Sequence, residues 1–177
     1  VLTILFTQAR SDLKKQKAEL QRVRPTDEVL EKYFKFAESY FVELGKNFNA
    51  LNAFFNAKKT EEVVKKYRGN HGGHLLFRPI GLEILTRVVA RCTKEMSLED
   101  AVKMVAQLPY DLNEEPFQWL MWDPSKKTML NNHKVTVREV LLYMIGMGSK
   151  NYSETTLLER YQRETGNETA ELPERVV

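Results

Sequence analysis

Arg68, His71, His74 and Arg78 are the residues whose types and spacing come closest to a chemical site in this chain. They stand in the run Arg68-Gly69-Asn70-His71-Gly72-Gly73-His74-Leu75-Leu76-Phe77-Arg78-Pro79-Ile80-Gly81, with Lys65 and Lys66 just upstream. That run holds four of the chain's eight glycines and two of its three histidines. Gly72-Gly73 permits backbone conformations that a Cβ forbids, so it reads as a turn or a point of close approach. Pro79 suits the first turn of a helix, where a missing N–H costs nothing. Cations gathered around a glycine turn at a helix start could hold an anion such as a phosphate. In a plainer alternative the glycines only turn the chain, the histidines cap it and the arginines are solvated. The residues to test as nucleic-acid or anion contacts are Lys65, Lys66, Arg68, His71, Gly72, Gly73, His74 and Arg78.

Other chemistry finds little footing. His71 and His74 are three apart, but the only further histidine is His133 and the only cysteine is Cys92, too few for a metal-ligand set. There is no phosphate-binding glycine motif ending in Lys-Ser/Thr and no nucleophile elbow. Glu83 lacks an evident catalytic partner, and Asp111, Glu114 and Glu115 read as surface charge. No catalytic residue, cofactor or metal is expected of this chain by itself.

The elements that must position the loop read as helices. Residues 1–24 read as one helix ending before Pro25. Leu2, Phe6, Ala9, Leu13, Gln16, Leu20 and Val23 form a heptad-like seam, suited to a second copy, to the rest of the chain or to a missing N-terminal half. Arg10, Lys14, Lys15 and Lys17 give that helix a basic face, a secondary candidate contact. Thr26 caps a helix to about Leu44, with Leu30, Tyr33, Phe34, Ala37, Phe41 and Leu44 as its apolar face and Gly45 ending or bending it. Eight of the sixteen Phe and Tyr residues lie between Tyr33 and Phe55, and this aromatic stripe is expected in the core. Thr60 caps a short helix that delivers Lys65, Lys66 and Arg68 to the loop. Leu75-Leu76-Phe77 plugs into the core, and Ile80, Ile84, Leu85, Val88, Val89 and Cys92 make an apolar stripe after Pro79.

Ser97 with Asp100 caps a further helix, stopped by Leu108-Pro109. Residues 117–130 read as a small β-hairpin turned at Asp123-Pro124-Ser125-Lys126-Lys127, with Trp119 or Trp122 covering the helices. Thr136 with Glu139 forms a capping box for the next helix. Ser153 starts the last one, and 167–177 is an acidic tail expected to fray. The fold class is therefore mainly α: about seven or eight helices in an orthogonal bundle with one small hairpin. The organisation is a basic arm at 1–24, a helical domain at 25–166 and the tail.

A 42% hydrophobic content supports a real core, and a net charge of +3 is too small to establish nucleic-acid binding unless its distribution does so. A single cysteine on an apolar stripe fits a buried thiol in a reducing, cytoplasmic setting. No run is long enough for a membrane span, and the apolar start Val1-Leu2-Thr3-Ile4-Leu5-Phe6 lacks the flanks of a signal peptide.

Several motifs together resemble a known family. They are Gly72 to Gly81, Leu108-Pro109 with Asp111-Leu112, Trp119 with Trp122-Asp123-Pro124, and Val137-Arg138-Glu139-Val140-Leu141-Leu142-Tyr143-Met144. Over residues 65–146 the chain resembles the C-terminal part of DGQHR-domain proteins, which include the DndB-like regulators of DNA phosphorothioation. The defining Asp-Gly-Gln-His-Arg motif does not occur in residues 1–177. The resemblance implies a non-catalytic DNA-associated or regulatory domain of DNA modification and defence systems, with DNA as partner. Two other classes stay open: an interaction or homodimerisation module through the 1–24 helix, and a fragment of a DNA-processing enzyme whose catalytic half lies elsewhere.

Overall fold

The computed structural model describes residues 1–8, 22, 24–149 and 152–177. Among them lie eight α-helices and one two-stranded antiparallel hairpin, so the chain is mainly α. The helices are α1 (Leu2–Gln8), α2 (Asp27–Asn47), α3 (Asn49–Phe55), α4 (Thr60–Arg68), α5 (Pro79–Cys92), α6 (Leu98–Val105), α7 (Lys134–Met144) and α8 (Glu154–Thr165). Single 3-10 turns at Leu75–Phe77 and Asn131–His133 lead into α5 and α7. Strands β1 (Trp122–Asp123) and β2 (Thr128–Met129) pair Trp122 with Met129 and Asp123 with Thr128.

Helix α5 is the axis of the core. Ile84, Leu85, Val88, Val89 and Cys92 along it are buried, as its 3.6-residue periodicity requires. Helices α1, α6 and α7 pack against it, α1 through the buried Leu5. Helix α2 is anchored by Tyr40, whose hydroxyl lies 3.0 Å from Thr86 Oγ1. Thr86 donates its own proton to the Leu82 carbonyl at 2.6 Å, so Tyr40 is the donor of the pair. Leu75 and Leu76 are buried as expected, and Pro79 is the first residue of α5.

Local signals succeed where a side chain meets a free amide. Ser97 and Ser153 accept from the amides of Asp100 and Thr156 at 3.0 and 3.2 Å. Asp123 Oδ1 accepts from the amides of Ser125 and Lys126, both at 2.9 Å, and so closes the hairpin turn.

Five expectations are corrected. Gly45 neither ends nor bends α2, which runs on to Asn47 and breaks at Phe48. Instead a Cβ at Gly45 would stand 3.2 Å from the Phe55 ring, so the glycine lets that ring approach. Thr136 and Glu139 form no capping box, because the 3-10 turn at Asn131–His133 feeds α7 directly and starts it at Lys134. Both side chains are buried inside the helix, and Glu139 pairs with Arg138 at 2.5 Å. Helix α4 includes Thr60, with Lys59 before it. The aromatic stripe is only partly core, since Phe34, Phe41 and Phe55 are exposed.

The 167–177 segment, expected to fray, docks instead. Val176 N–H donates to the Met144 carbonyl at 2.8 Å, Gln162 Nε2 donates to the Ala170 carbonyl at 2.8 Å, and Pro173 is buried. Most of the heptad seam, and the face of Arg10, Lys14, Lys15 and Lys17, lie outside the described residues. No helix among the described residues is long and apolar enough to cross a membrane.

Candidate functional site

Helix α4 is polarised by its sequence. Glu61 and Glu62 occupy its first turn, and Lys65, Lys66 and Arg68 its last, each sign at the end where the helix dipole favours it. Gly69, at φ +45°, then turns the chain out of the helix. The following backbone is tied on two sides. His74 N–H donates to the Tyr67 carbonyl at 2.7 Å, and 73–75 runs antiparallel to 110–112 through Leu112 N–H to Gly73 O (2.9 Å) and Leu75 N–H to Tyr110 O (2.8 Å). The loop is thus fastened both to the helix that precedes it and to the segment that follows α6.

Its paired glycines, Gly72 and Gly73, serve this path. Gly73 has φ +74°, and a Cβ there would lie 2.4 Å from the Tyr67 carbonyl oxygen. Gly72, at φ +92°, leaves room for the Asn113 side chain and the Trp122 indole, each 3.1 Å from where a Cβ would stand. Trp122 on β1 is buried, so the hairpin braces the loop as well as the helices.

Arg78 and His74 prove to be holders of the loop. Arg78 Nη2 donates to the carbonyls of Gly72 at 2.8 Å, Arg68 at 3.0 Å and Gly69 at 3.4 Å, and its guanidinium sits 5.7 Å from the Trp122 ring centroid. Burial and the nearby Arg68 charge pull its pKa down from the usual arginine value. Nη2 carries two protons, so the longest of these contacts, to Gly69, shares a proton with one of the other two. His74 Nδ1 accepts the Leu76 N–H at 3.2 Å and so caps the 3-10 turn. Its ring stacks on Tyr110 at 5.5 Å and meets Tyr67 and Phe77 edge-on at 5.9 and 6.0 Å. Burial in this aromatic setting lowers the imidazole pKa, against an upward pull from Asp111.

The eight loop residues therefore divide. Gly72, Gly73, His74 and Arg78 build the loop, while Lys65, Lys66, Arg68 and His71 are exposed on its rim. Arg68, Asn70, His71 and Arg78 line an open depression of about 660 Å³ with Lys65 at its edge. Lys66 Nζ lies 5.1 Å from the Tyr67 ring centroid. Among the described residues, Lys65, Lys66 and Arg68 enter no ion pair, whereas the neighbouring cations Lys59, Arg87 and Lys134 are matched to Glu62, Glu83 and Glu83.

The start of α5 itself offers little to an anion. The Gly81 and Leu82 amides already donate to the Arg78 carbonyl at 2.9 and 3.4 Å, and a Cβ at Gly81 would strike the Leu75 carbonyl oxygen at 2.0 Å. Protein covers that helix end. Glu83 and Cys92 are held away from acid–base and nucleophilic roles. Burial pushes the Glu83 pKa up, but Arg87 and Lys134 together hold it below the usual range. Cys92 is buried and its thiol is pushed up to about 11 by burial, so the thiolate is disfavoured. Among the described residues no group of three or more His, Cys, Asp or Glu side chains could hold a metal ion.

Sequence reasoning missed Tyr67, Tyr110 and Asn113, which frame the loop. Their partners are distant in the chain or follow no helical period, so no local pattern marks them. No protein-family model matches this chain, and neither the curated proteins nor the solved structures give a match.

Proposed function

We propose that this chain is a non-catalytic DNA-associated or regulatory domain that contacts the phosphate backbone through the end of α4 and the loop after it. One observation carries the reading: Lys65, Lys66 and Arg68 are exposed, adjacent and unmatched by carboxylates among the described residues. Unneutralised cations on the last turn of a helix that a fastened loop follows are suited to phosphates, because little backbone ordering remains to be done on contact. The sequence resemblance to the C-terminal part of DndB-like DGQHR proteins supports the same reading.

The test is a fluorescence-anisotropy titration with duplex DNA over a range of salt. If each of the three cations neutralises one phosphate, the slope of log K against log salt is about −3. A Lys65→Ala/Lys66→Ala/Arg68→Ala variant, which keeps the Arg78 clamp, should lose most of the affinity and flatten the slope. Folded protein that does not bind duplex at low salt would refute the proposal.

A further inference from the structure

Behind the basic rim lies an apolar pocket that shares only Arg68 with the DNA reading. It has a volume of about 470 Å³ and opens between the end of α2, α3, α4 and the start of α5. Phe41, Phe54, Phe55, Val64, Phe77 and Leu82 form its walls. The Phe41 and Phe55 rings meet edge-on at 6.4 Å, as do Phe54 and Phe77 at 5.9 Å. Phe41 and Phe55 are two of the chain's exposed large apolar side chains, at 39% and 46%, and both belong to this wall. Gly45 admits the Phe55 ring to its place against α2.

Among the described residues, the ionisable side chains lining the pocket are Arg68 and Arg78. No carboxylate among the described residues lines it, so the formal charges at its wall are both positive. Arg78 is committed to the loop carbonyls, which leaves the exposed Arg68 free to meet a ligand. An apolar cavity of this size with a single orienting charge is the usual form of a small-molecule site.

We propose that this pocket binds a small amphipathic anion, an aliphatic or aromatic carboxylate whose apolar body lies against Phe55, Val64 and Leu82 while its head pairs with Arg68. The inference goes beyond the DNA reading and does not depend on it.

The test uses the full chain without DNA and sodium decanoate, below its micelle range, as the probe. Amide chemical shifts of the labelled protein are followed through the titration. Saturable one-to-one shifts at Phe55, Val64 and Leu82 are expected. Arg68→Glu should weaken binding about tenfold or more, because it replaces attraction at the head by repulsion. Val64→Trp, which fills the pocket, should abolish binding, and unchanged melting temperatures verify that both variants fold. Decyltrimethylammonium, with the same chain and the opposite charge, should not compete. Absence of saturable shifts overturns the proposal, as does equal binding by Arg68→Glu or equal competition by the cationic amphiphile. An acidic amphipathic peptide that shifts these residues where decanoate does not would make the pocket a protein-docking site and overturn it as well. Loss of DNA binding in the triple alanine variant with decanoate binding intact in Lys65→Ala/Lys66→Ala would separate the two proposals.

Discussion

At the scale of single residues, steric room and charge geometry decide who holds the loop and who faces outward. Gly81 is the sharpest case. A Cβ there would meet the Leu75 carbonyl oxygen at 2.0 Å and its carbonyl carbon at 2.7 Å. Leu75 cannot retreat, since it is fully buried and its N–H is bonded to Tyr110. Gly81→Ala should therefore cost about 3 kcal/mol, the upper range for overpacking. Gly166 is the control, with φ +71° but open space around it. Gly166→Ala should cost only about 1 kcal/mol, from the left-handed conformation alone. Urea unfolding midpoints at constant slope measure both, and equal losses would show that the clash decides nothing. The need for Gly72-Gly73 was legible in the sequence, because paired glycines between helical patterns mark a turn. The need for Gly81 was not, because it depends on a carbonyl brought close by the fold. The same holds for Arg78, which the sequence groups with the solvated cations and the structure assigns to three carbonyls.

At the scale of elements, pattern located nearly every helix but chose faces less well. Helix α2 carries apolar residues on more than one side, so two stripes compete. Tyr33, Tyr40 and Leu44 turn inward while Leu30 and Phe34 stay exposed, Phe34 at 62%. The hydroxyl of Tyr40 meeting Thr86 on α5 breaks the tie, and a partner on another helix has no trace in local periodicity. The tail was misjudged for a related reason. Glu168, Glu171 and Glu174 make it look solvated, yet Ala170, Leu172 and Val176 alongside them pack against the core and Arg175 lies 4.7 Å from the Tyr143 ring centroid. Removing residues 167–177 should cost about 2 kcal/mol from the lost apolar burial and cation–π contact. Urea unfolding of the truncated chain checks this, and an unchanged midpoint would mean that the tail only rests on the surface.

At the scale of the whole molecule, His74 joins parts that are far apart in sequence. Its backbone is bonded to Tyr67 at the end of α4, its ring stacks on Tyr110 beyond α6, and its Nδ1 caps the turn that leads into α5. Protonation would convert Nδ1 from acceptor to donor and set it against the Leu76 N–H. It would also place a charge among aromatic rings, the reason burial lowers its pKa below the ordinary 6.5. The sign for stability follows. Below pH about 6.5 the unfolded chain takes up a proton at this position that the folded chain refuses, so acid favours unfolding there. The contribution of His74 is fully present above that pH and is lost as the pH falls through the lower folded value. His74→Asn keeps a short side-chain acceptor for the Leu76 amide and removes the titration. Urea unfolding between pH 7 and pH 5 should therefore show native stability falling more steeply than that of the variant. Because each profile contains every other titrating group, the difference between them isolates this one histidine. Parallel profiles would mean that the imidazole is not the source of any acid sensitivity, and that its stacking on Tyr110 survives protonation.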